Sequence, residues 1–321
     1  MATVAVTGAT GFVGSNIAEL LHSRGHEVVG IIRKTSDPVP PWRERRVNLD
    51  SIDSIAEALE GVDAVVHCAI SNDFNTLMND RPKAYDAYVG LTQRIAHAAN
   101  AVGAHMVYIS TDWTMDGTRH RTPESDCGNP INIYGFLKAM GEQVVRDLCP
   151  DNGAVCRIGG VMGAHRLLPS GPRSQDVGFG YFVASIVQTL QRGERFAVWG
   201  GEYVNKIATP SLASEIGAEI EQVIALGATG TLHLVGDDAV TRMELAELVC
   251  EVFELDASLL YEIDAPEEAR FAQGVPVDSS LDNAHTKHVL GIGPTPLRDL
   301  LRAFRREIES GELQPLTGSS R

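Results

Sequence analysis

Tyr134 and Lys138 stand four residues apart in Y-G-F-L-K. On a helix this spacing puts both side chains on one face. A free phenol titrates at about 10, too high for proton exchange near neutrality. A neighbouring ammonium stabilises the phenolate and draws that value down. The pair alone is a common surface pattern, so its surroundings decide its meaning. Upstream, I-S-T-D-W-T-M-D-G runs from Ile109 to Gly117, and the hydroxyls of Ser110 and Thr111 close an apolar strand candidate. In an open parallel sheet the carboxyl ends of the strands line the ligand crevice. A hydroxyl delivered there can meet the phenol of the following helix. Tyr134 and Lys138, with a hydroxyl from Thr111 or Ser110, are therefore candidates for acid–base chemistry.

A second motif opens the chain. T-G-A-T-G-F-V-G at 7–14 follows the apolar Val4-Ala5-Val6 and precedes Ile17-Ala18-Glu19-Leu20-Leu21. Strand, glycine turn and helix start in that order suit a dinucleotide pyrophosphate, because glycines let the backbone approach and the helix N-terminus offers N–H groups. Gly8, Thr10, Gly11, Phe12, Val13 and Gly14 form this candidate cofactor loop. An acid at the end of the second strand would select an unphosphorylated ribose, and a cation a 2′-phosphate. Here Val28-Val29-Gly30-Ile31-Ile32 ends in Arg33-Lys34-Thr35-Ser36. NADP(H) is thereby favoured over NAD(H), unless Arg33 and Lys34 are simply solvated strand-end charges. Asp50 is placed either to accept from an adenine amino group or to cap the next helix.

The elements that must position these residues alternate. Strand candidates are 3–7, 27–32, 46–49, 64–69, 105–110 and 155–158, with helices at 13–23, 52–59, 83–101 and 132–148 between them. Short continuous apolar runs such as Val65-Val66 suit strands covered on both faces. The fold class expected is α/β, a doubly wound parallel sheet with a smaller C-terminal α/β substrate lobe. Residues 1–160 would form the dinucleotide-binding domain, joined by a returning segment at about 205–235. Residues 161–204 and 236–321 would form the lobe. Helices are expected at 182–191, 211–226 and 242–253, a strand at 231–235, and a Gly/Pro-rich excursion at 159–172. Arg166 and Arg173 flank that excursion and could clamp a diphosphate bidentately, or stand as ordinary surface arginines.

Composition narrows the class. A net charge of −15 over 321 residues argues against nucleic-acid binding. No apolar stretch reaches the ~20 residues of a membrane helix, and the first strand starts too early to leave room for a leader, so the expected address is cytoplasmic. The five cysteines include no C-x-x-C pair and read as free thiols. Histidines pair closely only at 22/26 and 285/288 without a third ligand, so no metal is expected.

The motifs also carry a resemblance. T-G-A-T-G-F-V-G, V-V-H-C-A at 65–69, S-T-D-W-T-M-D-G at 110–117, Y-G-F-L-K-A-M-G-E at 134–142 and R-x-x-x-V-x-G at 157–163 resemble the extended short-chain dehydrogenase/reductase superfamily. Within it they look most like dTDP-4-dehydrorhamnose reductase and its relatives. Leu281-Asp282-Asn283 and the stretch 290–298 are similar to that family's C-terminal pattern. The resemblance implies that Tyr134 protonates a ketone oxygen as hydride arrives from a nicotinamide. Thr111 would hydrogen-bond the same oxygen, and Lys138 would hold the nicotinamide ribose. Ala69, Ser110 and Ile158 would line the nicotinamide side, and Trp113 the substrate.

Three departures stand out. Ala87-Tyr88-Val89-Gly90-Leu91 lacks the family's usual asparagine, Trp113 replaces a commoner tyrosine, and Asn205-Lys206 stands near where the family tends to carry aspartate and glutamine. The implied activity is NADPH-dependent reduction of a nucleotide-linked 4-keto-6-deoxy sugar. The alternatives are an epimerase with bound NAD and a non-catalytic NADP-binding regulatory subunit. A homodimer through helices 83–101 and 132–148 is also implied.

Overall fold

The computed structural model describes residues 1–70, 74–168, 181–267 and 274–318. In chain order its elements begin with β1 (Thr3–Thr7), α1 (Phe12–Ser23), β2 (Glu27–Ile32), β3 (Arg43–Arg46), α2 (Ile52–Ala58) and β4 (Ala64–His67). Then come α3 (Phe74–Asn79), α4 (Arg81–Tyr85), a π turn (Asp86–Gly90), α5 (Leu91–Val102), β5 (His105–Thr111), α6 (Ile133–Leu148), β6 (Gly153–Ile158) and β7 (Val161–Met162). The remainder is α7 (Phe182–Gln191), β8 (Phe196–Gly200), β9 (Ile207–Ala208), β10 (Ser211–Leu212), α8 (Ala213–Leu226) and β11 (Gly230–His233), then β12 (Val240–Thr241), α9 (Arg242–Phe253), β13 (Leu260–Asp264), α10 (Ala284–Leu290) and α11 (Leu297–Ser310).

Seven strands form one parallel sheet in the order β11-β6-β5-β4-β1-β2-β3. The order reverses between β1 and β4, which opens a crevice at their carboxyl ends. Alternation along the strands splits the core into two layers. Val4, Val6, Val66 and Val107 face Ile17, Leu21, Ile216 and Ile220 of α1 and α8. Ala5, Val65 and Met106 face Ile55, Ile95 and Val145 of α2, α5 and α6. This is the doubly wound sheet expected from the sequence. A third cluster joins Met162 to α7, β8, α9 and α11 through Ile186, Val198, Val249 and Phe304.

Two elements differ from expectation for identifiable reasons. The third strand lies at 43–46 rather than 46–49, pairing Val29 with Arg43 through Ile32 with Arg46. It is the sheet edge, where charged side chains stay in water and an apolar alternation is not needed. The helix expected at 83–101 is present and runs without a gap through α4, the π turn and α5, but the π turn widens it midway. Asp86 forks onto Arg94 at 2.7 and 3.2 Å, and Thr92 Oγ1 donates to Tyr88 O at 2.6 Å, occupying a carbonyl within the widened turn.

Candidate active site

The glycine loop forms first. Gly8 adopts a left-handed φ of +70°, and a Cβ there would stand 2.9 Å from Ala69 N. Gly14 has still less room, since its Cβ would meet Gly8 O at 2.2 Å. Gly11 N donates to Gly8 O at 2.9 Å, closing the turn, and α1 starts with no side-chain cap on its first amides. Those uncapped N–H groups beside a backbone stripped of side chains fit a pyrophosphate. Thr10 is exposed, and Phe12 and Val13 are half-buried at the helix start. The Phe12 ring lies 4.8 Å from that of Tyr181, centroid to centroid.

Beneath the loop runs a buried hydrogen-bond chain that sequence reasoning did not foresee. Ala69 N donates to Thr7 Oγ1 at 3.2 Å, and Thr7 Oγ1 meets His67 Nδ1 at 2.7 Å. His67 Nε2 meets Thr92 Oγ1 at 3.2 Å, and the Thr92 proton goes to Tyr88 O. Following the protons, His67 accepts at Nδ1 and donates from Nε2. Burial, reinforced by the charge on Lys138, pushes its pKa down to about 3, so it stays neutral. The chain ties the ends of β1 and β4 to the π turn.

The catalytic candidates meet at the end of β5. Asn132 caps α6 by accepting Gly135 N–H at 2.9 Å. Gly135 is required because its Cβ would stand 2.0 Å from Trp113 O, so the helix start lies directly on the turn after β5. There the buried Tyr134 phenol lies close enough to Thr111 for that side chain to oppose the rise in its pKa. Its ring is flanked edge-on by Trp113 at 6.0 Å and by Tyr88 at 6.1 Å. One turn along, Lys138 Nζ donates to Ile109 O and lies 4.3 Å from the centre of the Tyr108 ring. Tyr108 fits because residue 141 is glycine, whose Cβ would otherwise approach Tyr108 Oη to 2.3 Å.

The electrostatics differ from the simple phenol–ammonium picture. Burial pushes Tyr134 up to about 12, against the Thr111 hydrogen bond and with help from the Asp112 charge. Burial likewise draws Lys138 down to about 8. In this structure the ammonium spends its contacts on Ile109 O and Tyr108, and Tyr134 stays a neutral phenol.

Other candidates fall in several places. Ser110 is buried, and its Oγ donates to Glu142 Oε1 at 2.6 Å. Glu142 in turn takes Arg157 through Nε at 2.9 Å and Nη2 at 2.8 Å, both side chains being fully buried. Burial alone would raise Glu142, but Arg157, Ser110 and Arg146 outweigh it and hold the carboxyl below its ordinary value. Arg157 Nη1 also donates to Asp126 O at 3.0 Å. This cluster was missed, although G-E after the lysine and the arginine of R-x-x-x-V-x-G are its signal. Ile158 is half-buried against the first core layer, and Ala69 against the second.

Arg33 and Lys34 are exposed at the end of β2, and among the described residues neither makes an ion pair. Asp50 is exposed, and the α2 cap is Ser51, whose side chain accepts from Ser54 N at 3.2 Å. Arg166 is turned from the crevice to α1, with Nη2 donating to Glu19 Oε1 and to Gly311 O, each at 2.6 Å. Arg173 lies outside the described residues. Among the described residues no group of three or more His, Cys, Asp or Glu side chains could hold a metal, and no helix is long and apolar enough to cross a membrane.

Residues 1–310 match the family model described as the RmlD substrate binding domain. A probable low-salt glycan biosynthesis reductase, Agl14, of Haloferax volcanii is 30% identical over 308 residues, covering 93% of this chain and 96% of that protein. Methionine adenosyltransferase 2 subunit beta of Bos taurus is 27% identical over 301 residues, covering 92% and 84%. The crystal structure of dTDP-4-dehydrorhamnose reductase from Bacillus anthracis in complex with NADP shares the fold, with a TM-score of 0.76 at 22% identity over 95% of this chain and 98% of that one. The chain belongs to the RmlD substrate-binding family, that of dTDP-4-dehydrorhamnose reductase, among the NAD(P)-dependent oxidoreductases of the extended short-chain kind.

Proposed function

We propose that this protein reduces the keto group of a nucleotide-linked 4-keto-6-deoxy sugar with NADPH, Tyr134 giving the proton. The observation that carries this reading is the buried Tyr134 phenol, held edge-on between Trp113 and Tyr88 beside Thr111 at the carboxyl end of the sheet. A reduction consumes a protonated donor, and burial keeps Tyr134 protonated at physiological pH. Bound NADPH would supply the hydride. Gly8, Thr10, Gly11, Phe12, Val13 and Gly14 would hold its pyrophosphate, Ala69 and Ile158 would border its nicotinamide, and Lys138 would hold the adjoining ribose.

The choice of NADPH rests on the exposed Arg33 and Lys34, which suit a 2′-phosphate where no carboxylate stands. NADP in the Bacillus anthracis relative agrees with it. Trp113, edge-on to Tyr134, would form an apolar wall for the sugar. Ser110 and Arg166 are left out of the site, because their polar groups are engaged elsewhere.

Single-turnover oxidation of NADPH with a dTDP-linked 4-keto-6-deoxy sugar tests the proposal. The expected result is oxidation by the native chain and none by Tyr134→Phe. Tight NADPH binding without oxidation of any keto-sugar would instead favour a regulatory role, which similarity to the methionine adenosyltransferase beta subunit makes a specific alternative. Purification with retained NAD and interconversion of sugar epimers would point to an epimerase.

A further inference from the structure

Residues 33–42 join β2 to β3, and Arg33, Lys34 and Thr35 at the start of this loop are exposed. Ser36 is half-buried, and Pro40 and Trp42 are buried. Trp42 is 4% exposed and packs in the first core layer with Ala9. Its indole fits because residue 30 is glycine, whose Cβ would stand 3.2 Å from Trp42 Nε1 and 3.4 Å from Ala9 Cβ. The returning end of the loop is thereby fixed beside Ala9 of the glycine turn. The outgoing end is fixed from β3, where the register sets Glu44 opposite Gly30. Glu44 Oε2 accepts the Ser36 N–H at 3.3 Å, and its Oε1 accepts the Ser36 hydroxyl proton.

That hydroxyl proton decides what Ser36 can do. The oxygens of a phosphate dianion accept hydrogen bonds, so a serine hydroxyl holds one by giving its proton. The Ser36 proton is already on Glu44. Ser36 is therefore an anchor of the loop and not a phosphate ligand, and the anchor fixes the backbone just beyond Arg33 and Lys34. Closing flexible cationic side chains on a phosphate loses conformational entropy, and a backbone already held loses less.

We propose that Glu44 is a positioning residue for cofactor choice: by holding Ser36 it sets the loop so that Arg33 and Lys34 stand ready for the 2′-phosphate of NADP(H). The inference rests on the NADPH preference proposed above and names the group that enforces it. Glu44 acts through Ser36 and not on the phosphate. As a bystander near a phosphate, a carboxylate would weaken binding by repulsion, so its removal would strengthen NADP(H). As a positioning residue, its removal frees the loop and weakens NADP(H). The two roles differ in sign.

Isothermal titration calorimetry with NADP+ and NAD+ reads that sign and needs no sugar substrate. Native protein should bind NADP+ more tightly than NAD+. Glu44→Ala should weaken NADP+ by about three- to fivefold and change NAD+ by less than about twofold. Ser36→Ala should do the same from the other side of the bond. It also releases the Glu44 carboxylate, which by itself repels a phosphate, so the double variant separates the two effects. With anchor and carboxylate both gone, NADP+ should bind as weakly as to the single variants. Native affinity in the double variant overturns the proposal, as does NADP+ binding that is unchanged or tighter in Glu44→Ala. An equal loss toward NAD+ overturns it too, because the loop would then serve no 2′-phosphate. A native chain that binds both cofactors alike overturns the NADPH preference and this proposal together. If Arg33→Asp lowers a native preference that Glu44→Ala leaves alone, the preference stands and the proposal falls.

Discussion

Ser110 and Thr111 are consecutive hydroxyls at the end of β5, and α6 answers each with a different device. Thr111 meets Tyr134 at the helix start, at the mouth of the crevice. Ser110 meets Glu142 two turns further on, inside a cluster where Arg157 and Glu142 are fully buried. The open pair leaves a phenol proton able to change partners. The sealed cluster leaves nothing able to move, because both carboxylate oxygens of Glu142 are occupied by Ser110, Arg146 and Arg157. One helix thus carries the proposed proton donor at its start and an inert anchor two turns on. The two regions should fail differently when broken.

Breaking the open region should cost the most in rate and the least in stability. Tyr134→Phe removes the proposed proton donor while keeping the ring between Trp113 and Tyr88, so kcat should fall by about 10²–10⁴-fold. NADPH affinity and melting temperature should be those of the native protein. Full activity in this variant would mean that the donor is another group.

Breaking the sealed cluster should do the reverse. Arg157→Leu leaves Glu142 without its bidentate partner inside the protein, a change that costs about 3–5 kcal/mol. Urea unfolding should show a substantial part of a typical domain's roughly 5–15 kcal/mol lost. Any residual folded fraction should retain its kcat, because Arg157 touches neither Tyr134 nor Thr111. Gly135→Ala lies between the two extremes. Its Cβ would meet the backbone oxygen of Trp113 at 2.0 Å, so α6 must withdraw from the turn after β5. A loss of about 1–3 kcal/mol is expected, accompanied by a lower kcat because Tyr134 moves with the helix start.

The open region was far more legible in the sequence than the sealed one. Tyr134, Lys138 and Thr111 announce themselves through spacing and through placement at a strand end, and glycines 8, 11 and 14 through their position between a strand and a helix. The bond from Ser110 to Glu142 spans 32 residues of sequence, and no local pattern announces it. The π turn at 86–90 was invisible for a related reason: apolar periodicity continues through it, and the Asp86–Arg94 fork and the Thr92 bond to Tyr88 O accompany the widening. Asn205 stands out in the sequence only as a departure from the family pattern and Ser279 not at all, since their contact, Asn205 Nδ2 donating to Ser279 Oγ at 3.0 Å, joins residues 74 positions apart.

The smallest effect falls at the far end of the crevice, where the residues are neither sealed nor reactive. Arg33 is exposed at the end of β2, and solvent screens whatever it offers a phosphate. Arg33→Asp should therefore shift the ratio of kcat/KM for NADPH over NADH toward NADH by only about tenfold, or about 1.4 kcal/mol. Lys34 remains beside it and limits the change. The proposed preference for NADPH should itself weaken as salt is raised, because an exposed ion pair is screened while a sealed one is not. The kcat with saturating cofactor should stay put, since Tyr134 and Thr111 lie outside the change. A preference that ignores both the substitution and the salt would leave Arg33 as a solvated strand-end charge, with cofactor choice made elsewhere in the crevice.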